Sequence, residues 1–247
     1  GSGIYRHIWL EPHPAIHIKP WSMHIATPVV TPDSAVAQIR LTLLNPGTRG
    51  EDLRMSLNIR ESRTGLIITD TILIRPSEKE KYLSYDLKID RPQLWSPESP
   101  ELYAVYVTLD NGDSDKETFG IRTFSWSPEG FVLNGDTIVL SGACVHHDNG
   151  ILGAASYDAA EYRKAALLKE AGFNAVRTSH NPPAPAFLDA CDRLGLLVID
   201  EAFDGWREAK TPYDYSTLLD QWWASDLGSM IERDRNHPSI IAWSIGN

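Results

Sequence analysis

The sequence contains few cysteines, few basic residues and no long apolar run, and each shortage excludes a class of protein. Only two cysteines, Cys144 and Cys191, occur among 247 residues, so no disulfide framework is expected and both are interpreted as buried structural thiols. No apolar run approaches the roughly 20 residues that a membrane-spanning helix needs. No signal peptide is recognisable, and we expect a soluble protein whose compartment, cytoplasmic or periplasmic, the sequence leaves open.

Positive charge is scarce as well. The chain carries 23 basic and 33 acidic residues, which gives a formal net charge of −10. Nucleic acids and anionic membrane surfaces both attract basic patches, so neither is expected as a partner. Aromatic residues, in contrast, are plentiful, with eight tryptophans and nine tyrosines. Aromatic rings suit the faces of sugars, although most of these side chains are expected to lie in the core.

Residues 21–124 alternate between apolar and polar side chains with a period of two, which is typical of half-buried antiparallel strands. The clearest runs are 37–43, 53–59, 83–89 and 103–109. Turn-forming residues such as Asn45-Pro46-Gly47 separate the runs. About seven short strands in this length predict a two-sheet sandwich of immunoglobulin type. No catalytic cluster falls here, so the module is interpreted as a support, and residues 1–20 do not form a unit of their own.

After about residue 125, apolar strands alternate with helices, following a hairpin whose type I′ turn is predicted at Asn134-Gly135. The predicted strands cover residues 138–145, 173–178, 196–199 and 239–245. Asp158 is expected to cap the first helix, and Gly172 and Gly195 to end the first and second. Short links predict a parallel sheet with right-handed crossovers. An open doubly wound sheet is the alternative, but no Gly-rich phosphate loop follows the first strand, which favours the first half of a TIM (β/α)8 barrel.

Polar residues collect at the carboxyl ends of these four strands, where β/α barrels carry their chemistry. They are His146-His147-Asp148 after the first strand, Arg177 to Asn181 after the second, Asp200-Glu201 with Asp204 and Trp206 after the third, and Asn247 after the fourth. Each has a structural alternative, such as a loop histidine or an ion pair between Arg177 and Asp200. Together they form the lining that a polyhydroxylated ligand needs. A zinc site is less favoured, because the vicinal histidines point apart and no HExxH spacing occurs.

Short motifs follow one another along nearly the whole chain. They are Gly3-Ile-Tyr-Arg6, Leu94-Trp-Ser-Pro-Glu-Ser-Pro100, Phe119-Gly-Ile-Arg-Thr123, Leu133-Asn-Gly135, Asn174-Ala-Val-Arg-Thr-Ser-His-Asn-Pro182, Cys191-Asp-Arg193, Asp200-Glu-Ala202, Arg233-Asp-Arg-Asn-His-Pro238 and Trp243-Ser-Ile-Gly-Asn247. In this order they resemble the motifs of glycoside hydrolase family 2, and the β-galactosidase and β-glucuronidase branches are the most similar. His146 and the run from Arg177 to Pro183 favour the β-galactosidase-like branch.

The resemblance implies a multidomain enzyme, in which a jelly-roll sugar-binding domain and an immunoglobulin-like domain precede the catalytic barrel. Residues 1–20 would be the tail of the jelly roll, 21–124 the sandwich, and 125–247 the N-terminal half of the barrel. The family's acid/base glutamate directly follows the asparagine that corresponds to Asn247, and its nucleophile glutamate lies later. Neither is expected within the chain, which by itself should therefore be inactive, since retaining hydrolysis needs both carboxyl groups.

The resemblance also implies roles for individual residues. Asn247 would hydrogen-bond the 2-hydroxyl of the sugar, and His146 and His180 would contact the sugar in the −1 subsite. Asp200 would line the same pocket, and Arg177 would fix the nearby carboxylates. A sixth residue that we expect at the pocket is Trp206, which would help to shape it.

One departure from the family concerns metal. Some β-galactosidases bind magnesium through a glutamate and a histidine at positions that correspond here to Gly205 and Arg207, so neither a metal nor an organic cofactor is expected. The predicted function is that of a retaining exo-β-glycosidase acting on terminal β-linked sugars, with β-galactosides favoured. β-Glucuronidase activity is one alternative, and a non-catalytic carbohydrate-binding or assembly module is the other. A homo-oligomer is compatible with all of these.

Overall fold

The computed structural model describes residues 4–47, 52–62, 65 and 67–247. They form two compact units. Residues 9–95 and 101–123 make up an all-β unit, and residues 4–8, 96–100 and 124–247 make up a unit of strands and helices. In the described part of the chain, no helix combines the length and the apolar character that crossing a membrane requires.

The strands and helices follow one another with short links. The strands of the all-β unit are β1 (His17–Ile18), β2 (His24–Val30), β3 (Ser34–Leu44), β4 (Leu53–Glu61), β5 (Ile67–Ile74), β6 (Glu80–Asp90), β7 (Tyr103–Leu109) and β8 (Ser114–Phe119). The elements of the second unit are β9 (Phe124–Ser127), β10 (Gly130–Leu133), β11 (Asp136–Ile138), β12 (Gly142–Val145), a 3₁₀ turn (Gly150–Leu152), α1 (Asp158–Glu170), β13 (Ala175–Thr178), α2 (Pro185–Leu194), β14 (Leu197–Glu201), α3 (Ser216–Asp234) and β15 (Ile240–Ser244).

The all-β unit is a sandwich of two antiparallel sheets. One sheet pairs β3 with β6 along its whole length and with β1 and β2, and the other has the order β5-β4-β7-β8. Every second residue of β3 is fully buried, from Ala35 to Leu43, and β4 and β7 alternate in the same way. One core therefore lies between the sheets, with Met55 and Val105 among its members. The predicted immunoglobulin-like sandwich is confirmed.

The second unit contains a parallel sheet whose strands lie in chain order, β12-β13-β14-β15. In a doubly wound sheet the strand order would reverse at a switch point, whereas a barrel keeps the order of the chain. Helices α1 and α2 pack on one face of this sheet, where Ala165 and Phe187 share one core with Val176 and Val198. The four strands are the first half of a TIM barrel, as predicted.

Local signals in the sequence set several of the element ends. Asn134 and Gly135 both have positive φ, 53° and 94°, as the type I′ turn between β10 and β11 requires. Gly195 ends α2 in the left-handed conformation with φ of 70°, and Gly172 follows α1 with φ of 89°. These predictions are confirmed.

Several element boundaries differ from the predictions, among them the starts of the first barrel strand and of α1. The first barrel strand begins at Gly142 and not at residue 138, because residues 136–138 pair with β10 in the hairpin. Asp158 is the first residue of α1 and not its cap, since Tyr157 holds that position without a capping side chain. The Asp158 carboxylate instead lies 3.1 Å from Nε2 of His7.

The sandwich prediction placed residues 1–20 outside the two modules. In the described part of this segment, residues 4–8 belong to the barrel unit and residues from 9 onward to the sandwich, where β1 pairs with the end of β3. That these residues continue a preceding jelly-roll domain stays a prediction, as do the proposed domain limits.

A buried ion pair ties α2 to the amino end of β15. The Nδ1 atom of His237 lies 2.6 Å from Oδ2 of Asp192, whose other oxygen accepts the backbone N–H of Ser239 at 3.1 Å. Burial alone would lower the pKa of His237, but the charges of Asp192, and then of Asp234 and Asp189, raise this pKa to about 9. His237 is therefore protonated in the folded protein at neutral pH.

This pair predicts a loss of stability at alkaline pH. The histidine pKa is higher in the folded than in the unfolded state, so the stabilisation is complete below about pH 6.5 and is lost as the pH rises through about 9. Asp192→Asn should lower the free energy of unfolding of the barrel unit by about 3 kcal/mol at pH 7, because it removes the carboxylate that stabilises the His237 cation. Urea denaturation followed by tryptophan fluorescence measures both effects.

The matched control is Asp220→Asn, which removes a carboxylate from an exposed ion pair with Arg207 in the same unit. It should leave the unfolding midpoint nearly unchanged. A pH-independent wild-type stability between pH 6.5 and 9.5, or equal effects of the two substitutions, would show that the His237 pair does not stabilise the fold.

Candidate active site

The parallel strands sort neighbouring residues onto opposite faces of the sheet. Residues of a strand alternate between its two faces, so Arg177 and Thr178 point in opposite directions, as do Asp200 and Glu201. Thr178 bonds Asp200 and Arg177 bonds Glu201. Because Val176 and Val198 pack against the helices, Thr178 and Asp200 share the helix-facing side. Arg177 and Glu201 therefore lie on the other face, which in a barrel is the interior.

Glu201 is the centre of a hydrogen-bond network at the carboxyl ends of the strands. Its carboxylate is fully buried. Oε2 accepts from Nε of Arg177 at 2.7 Å and from Oγ of Ser244 at 2.7 Å, and Oε1 lies 2.7 Å from Nδ1 of His180. The backbone N–H of Glu201 donates to Oγ1 of Thr178 at 3.0 Å. One carboxylate therefore joins β13, β14, β15 and the loop after β13.

The network extends to the last residue of the chain. Nη2 of Arg177 donates to Oδ1 of Asn247 at 3.1 Å, and Nδ2 of Asn247 donates to Oδ1 of Asp204 at 3.4 Å. The backbone N–H of Asn247 donates to the carbonyl of Phe203 at 3.1 Å. The side chain of Asn247 is thus held from both of its ends, while the residue itself remains exposed.

Two histidines lie side by side at this edge. The rings of His146 and His180 meet edge to face, with centroids 5.1 Å apart and planes at 81°. Nε2 of His180 lies 4.0 Å from Oδ1 of Asp204, and the Ser179–His180 peptide is cis. His180 is therefore oriented by Glu201 at Nδ1, with Asp204 farther from Nε2, and His146 packs against it from the loop after β12.

Trp206 approaches the same edge from the loop after β14. A methyl group at Gly246 would lie 2.7 Å from Nε1 of Trp206, so only glycine permits the indole to come this close to the end of β15. The indole is nevertheless 44% exposed. It offers an aromatic surface next to Asn247.

Charge within the network keeps its carboxylates ionised. Burial by itself would raise the pKa of Glu201, but hydrogen bonds from Ser244, His180 and Arg177 outweigh it and lower this pKa below the ordinary value. The hydrogen bond with Glu201 raises the pKa of Arg177. A hydrogen bond from Lys210, whose Nζ lies 3.0 Å from Oδ1 of Asp204, lowers the pKa of Asp204. The carboxylates of Glu201 and Asp204 are therefore negatively charged at this edge, and each is paired with a cationic side chain, Arg177 or Lys210.

Asp200 does not line this edge, contrary to the sequence-based expectation. Its carboxylate is fully buried on the helix-facing side, where it accepts from Oγ1 of Thr178 at 3.2 Å. Burial, and next the carboxylate of Asp234, raise the pKa of Asp200, which Arg233 opposes. The alternative pairing of Arg177 with Asp200 is also wrong, because Arg177 pairs with Glu201.

The error has a simple cause. The prediction ended the third strand at residue 199 and treated Asp200 and Glu201 as loop residues, whereas β14 continues through Glu201. Within a strand only one of two adjacent residues can face the interior. The sequence reasoning therefore named Glu201 among the polar residues of the edge without giving it a role, and it missed Ser244. Alternation from Arg177 across the register of β13, β14 and β15 would have placed both on the interior face.

The other candidates come together at one edge. All six residues expected at the site lie at the carboxyl ends of the four strands, but Asp200 is on the helix-facing side, apart from His146, His180, Arg177, Asn247 and Trp206.

The family models match both units. A model described as "Glycosyl hydrolases family 2" matches residues 16–122, and one described as "Glycosyl hydrolases family 2, TIM barrel domain" matches residues 127–247. The chain belongs to glycoside hydrolase family 2. Its sandwich and half-barrel are thus the successive domains of this family, and the edge centred on Glu201 lies in the part that the barrel model covers.

Similar members of the family are known from bacteria. Beta-galactosidase BoGH2A of Bacteroides ovatus is 40% identical to the chain over 254 residues, which cover 100% of the chain and 30% of the relative. The crystal structure of a family 2 member from Bacteroides cellulosilyticus matches with a TM-score of 0.95 and 44% identity, over 100% of the chain and 33% of the other. A β-glucuronidase of Bacteroides uniformis matches with a TM-score of 0.79 and 30% identity, over 95% and 29%. The chain therefore spans about a third of the length of these relatives.

The positions that bind magnesium in some β-galactosidases offer no ligands here. Arg207 pairs with Asp220 at 2.8 Å, and a Cβ on Gly205 would meet the side chain of Lys210. In the described residues, Asp189, Asp192 and His237 are close enough together to share a metal, but they lie at the opposite end of the strands and His237 already pairs with Asp192.

The adjacent carboxylates predict opposite pH dependences of stability. The pKa of Asp200 is raised by folding, so its contribution is complete below about pH 4 and declines as the pH rises. The pKa of Glu201 is lowered, so its contribution is present above about pH 4.3 and is lost on acidification. Asp200→Asn should therefore raise the unfolding midpoint at pH 8 relative to wild type, whereas Glu201→Gln should lower it at pH 7.

Urea midpoints measured between pH 4 and pH 9 for both variants check this assignment of faces. Each variant is the control for the other, since both exchange a buried carboxylate for an amide one residue apart. Destabilisation of equal size and equal pH dependence in the two variants would contradict it.

Proposed function

We propose that the chain supplies the sandwich and the sugar-binding edge of a retaining exo-β-glycosidase that acts on terminal β-linked sugars, with β-galactosides as the favoured substrates. The observation that carries the proposal is the network around Glu201. It holds Arg177 and His180 from the end of β13, and Asn247 from the end of β15, in fixed positions at one edge. A sugar ring presents several hydroxyl groups at once, and such a ligand is bound best by polar groups that are already in place.

Each group at the edge has a task in this proposal. Asn247 would bond the 2-hydroxyl of the sugar, a contact that strengthens as the oxocarbenium-like transition state forms. His146 and His180 would bond further hydroxyl groups, and Trp206 would pack against the sugar or its aglycone. Glu201 and Arg177 would position the sugar-binding side chains without binding the sugar themselves, because Glu201 is fully buried and Arg177 orients the amide of Asn247.

The two carboxyl groups of retaining hydrolysis would be supplied by glutamates outside this chain. In the family the acid/base glutamate directly follows the asparagine that corresponds to Asn247. The hydrogen bonds of Asn247 with Arg177 and Phe203 would then also fix the point from which that glutamate extends. We further propose that the protein needs no metal at Gly205 and Arg207, and neither nucleic acid nor membrane as a partner. The proposal leaves room for assembly into a homo-oligomer.

β-Galactosidase activity is favoured over β-glucuronidase activity by the relatives. BoGH2A, named a β-galactosidase, is 40% identical, whereas the β-glucuronidase structure from Bacteroides uniformis is 30% identical. A relative from Formosa agariphila that is named a putative β-glucuronidase is 38% identical, so the second activity is a specific alternative. A non-catalytic carbohydrate-binding module is the third possibility.

The first test compares the chain with a full-length protein that contains it. The chain itself should not hydrolyse p-nitrophenyl β-galactoside, because it lacks both carboxyl groups, whereas the full-length protein should, with a higher kcat/KM than for the β-glucuronide. Preference for the glucuronide would support the alternative activity. Hydrolysis of neither substrate would favour the non-catalytic binding module. Turnover by the purified chain would refute the proposal that both catalytic carboxyl groups lie outside it.

The second test concerns His180. In the full-length protein, His180→Ala should reduce kcat/KM for the galactoside by about 10–100-fold, the range for one hydrogen bond to a developing charge. Most of this loss should appear in kcat. His17→Ala, which changes a histidine of the sandwich, is the control and should not change the kinetics. Unchanged kinetics for His180→Ala would remove this residue from the proposed site.

A further inference from the structure

Residues 4–8 lie far from the barrel strands in sequence but belong to the same compact unit. The backbone carbonyl of Tyr5 accepts the N–H of Ser156 at 3.0 Å, and the ring of Tyr5 stacks on His147 with centroids 5.6 Å apart. Nη2 of Arg6 donates to the carbonyl of Pro182 at 2.8 Å across 176 residues of sequence. The segment therefore contacts the loops that follow both β12 and β13.

Those two loops carry the two histidines of the candidate site. Tyr5 stacks on His147, the direct neighbour of His146. Arg6 bonds Pro182, two residues after His180. The segment thus touches each histidine-bearing loop next to its histidine.

On the β12 side the contacts form a continuous chain. Oγ of Ser156 donates to Oε1 of Glu161 at 2.8 Å, and Oε2 of Glu161 lies 3.3 Å from Nζ of Lys164. Nζ of Lys164 in turn donates to the carbonyl of His146 at 3.2 Å. Glu161 is buried and Lys164 is mostly so, and hydrogen bonds between charged groups are strong where water has little access. The backbone of His146 is therefore held through this chain from Tyr5.

On the β13 side, two guanidinium groups bind consecutive backbone carbonyls. Arg6 donates to the carbonyl of Pro182, and Nη2 of Arg233 donates to the carbonyl of Pro183 at 3.0 Å. Arg233 is itself fixed by Asp234, with two contacts of 2.6 Å. Neither proline has a backbone N–H, so the loop cannot tie itself down by donating from these positions. Only the carbonyl groups of these prolines can form backbone hydrogen bonds, and each accepts one from an arginine.

We infer that Arg6, supported by Tyr5, is a positioning residue that fixes the loop carrying His180 against the interior of the barrel. Its guanidinium suits this task because a carbonyl bound by a charged donor is held more strongly than one bound by a neutral group. Arg6 does not touch the sugar site, so it acts through Pro182 on the placement of the imidazole. The inference rests on the proposed function only for the importance of His180.

The experiment uses the whole chain and needs no enzymatic activity. Arg6→Ala should raise the hydrogen-exchange rates of the amides of Asn181 and Ala184 by about tenfold, as expected for the loss of one charge-assisted hydrogen bond. In ¹⁵N-histidine spectra, the Nδ1 signal of His180 should shift because its contact with Glu201 loosens. Arg6→Lys, which keeps the charge and loses the planar fork, should restore the exchange rates in part.

Two internal controls separate positioning from stability. The signals of His237, buried in the same unit beside Asp192, should not change in Arg6→Ala. Arg75→Ala removes a guanidinium that binds Asp52 at 2.5 and 2.6 Å on the exposed surface of the sandwich, and it should alter neither the loop amides nor His180.

The inference is overturned by either of two results. Unchanged exchange and an unchanged His180 signal in Arg6→Ala would show that the segment does not hold the loop. Changes that extend to His237 and to the amides of β13 and β14 would show that Arg6 stabilises the unit as a whole. Because none of these signals depends on hydrolysis, a failed activity assay would not affect the outcome, and a positive result would not by itself support the proposed function.

Discussion

The buried carboxylate of Glu201 is the constraint on which the candidate site depends. Moving a carboxylate out of water costs several kcal/mol unless charged and hydrogen-bonding partners replace the water. Here Arg177, Ser244 and His180 provide those partners at 2.7 Å. Since these groups come from different strands and from one loop, satisfying the carboxylate also fixes how the strand ends lie relative to one another.

The same constraint prepares the edge for a ligand. Nη2 of Arg177 also donates to the amide oxygen of Asn247, and Nδ1 of His180 is held by Glu201. Polar groups that are fixed before binding lose little entropy when a sugar arrives. The stability of the barrel unit and the proposed recognition of the sugar therefore depend on one network, and a change in either is expected to change both.

Much of the architecture could be predicted from the sequence. The period of two in β3, β4 and β7 reflects strands with one face in the core, and the left-handed glycines after α1 and α2 mark where these helices end. The order of strands and helices, with no phosphate loop, was sufficient to favour a half-barrel over a doubly wound sheet. Five of the six residues expected at the site lie together at one edge, because the sequence positions that suggested them follow the strand ends, and their binding of a sugar stays a prediction.

What the sequence could not supply is the direction of individual side chains and the contacts made across long separations. Asp200 and Glu201 are both acidic and adjacent, and which one faces the interior depends on where β14 ends and on its register with β13. The contact of Arg6 with Pro182 spans 176 residues and involves a backbone carbonyl, which leaves no trace in the pattern of side chains. Both features require the folded arrangement of the strands.

A double-mutant cycle between Arg177 and Glu201 tests the central claim most directly. The free energies of unfolding of the wild-type chain, Arg177→Met, Glu201→Gln and the double variant are measured by urea denaturation at pH 7. The account predicts a coupling energy well above the ~0–1 kcal/mol of an exposed ion pair, since the second substitution should cost little once the first partner is gone. Additive effects of the two substitutions would show that the buried carboxylate does not depend on Arg177, and would contradict the account.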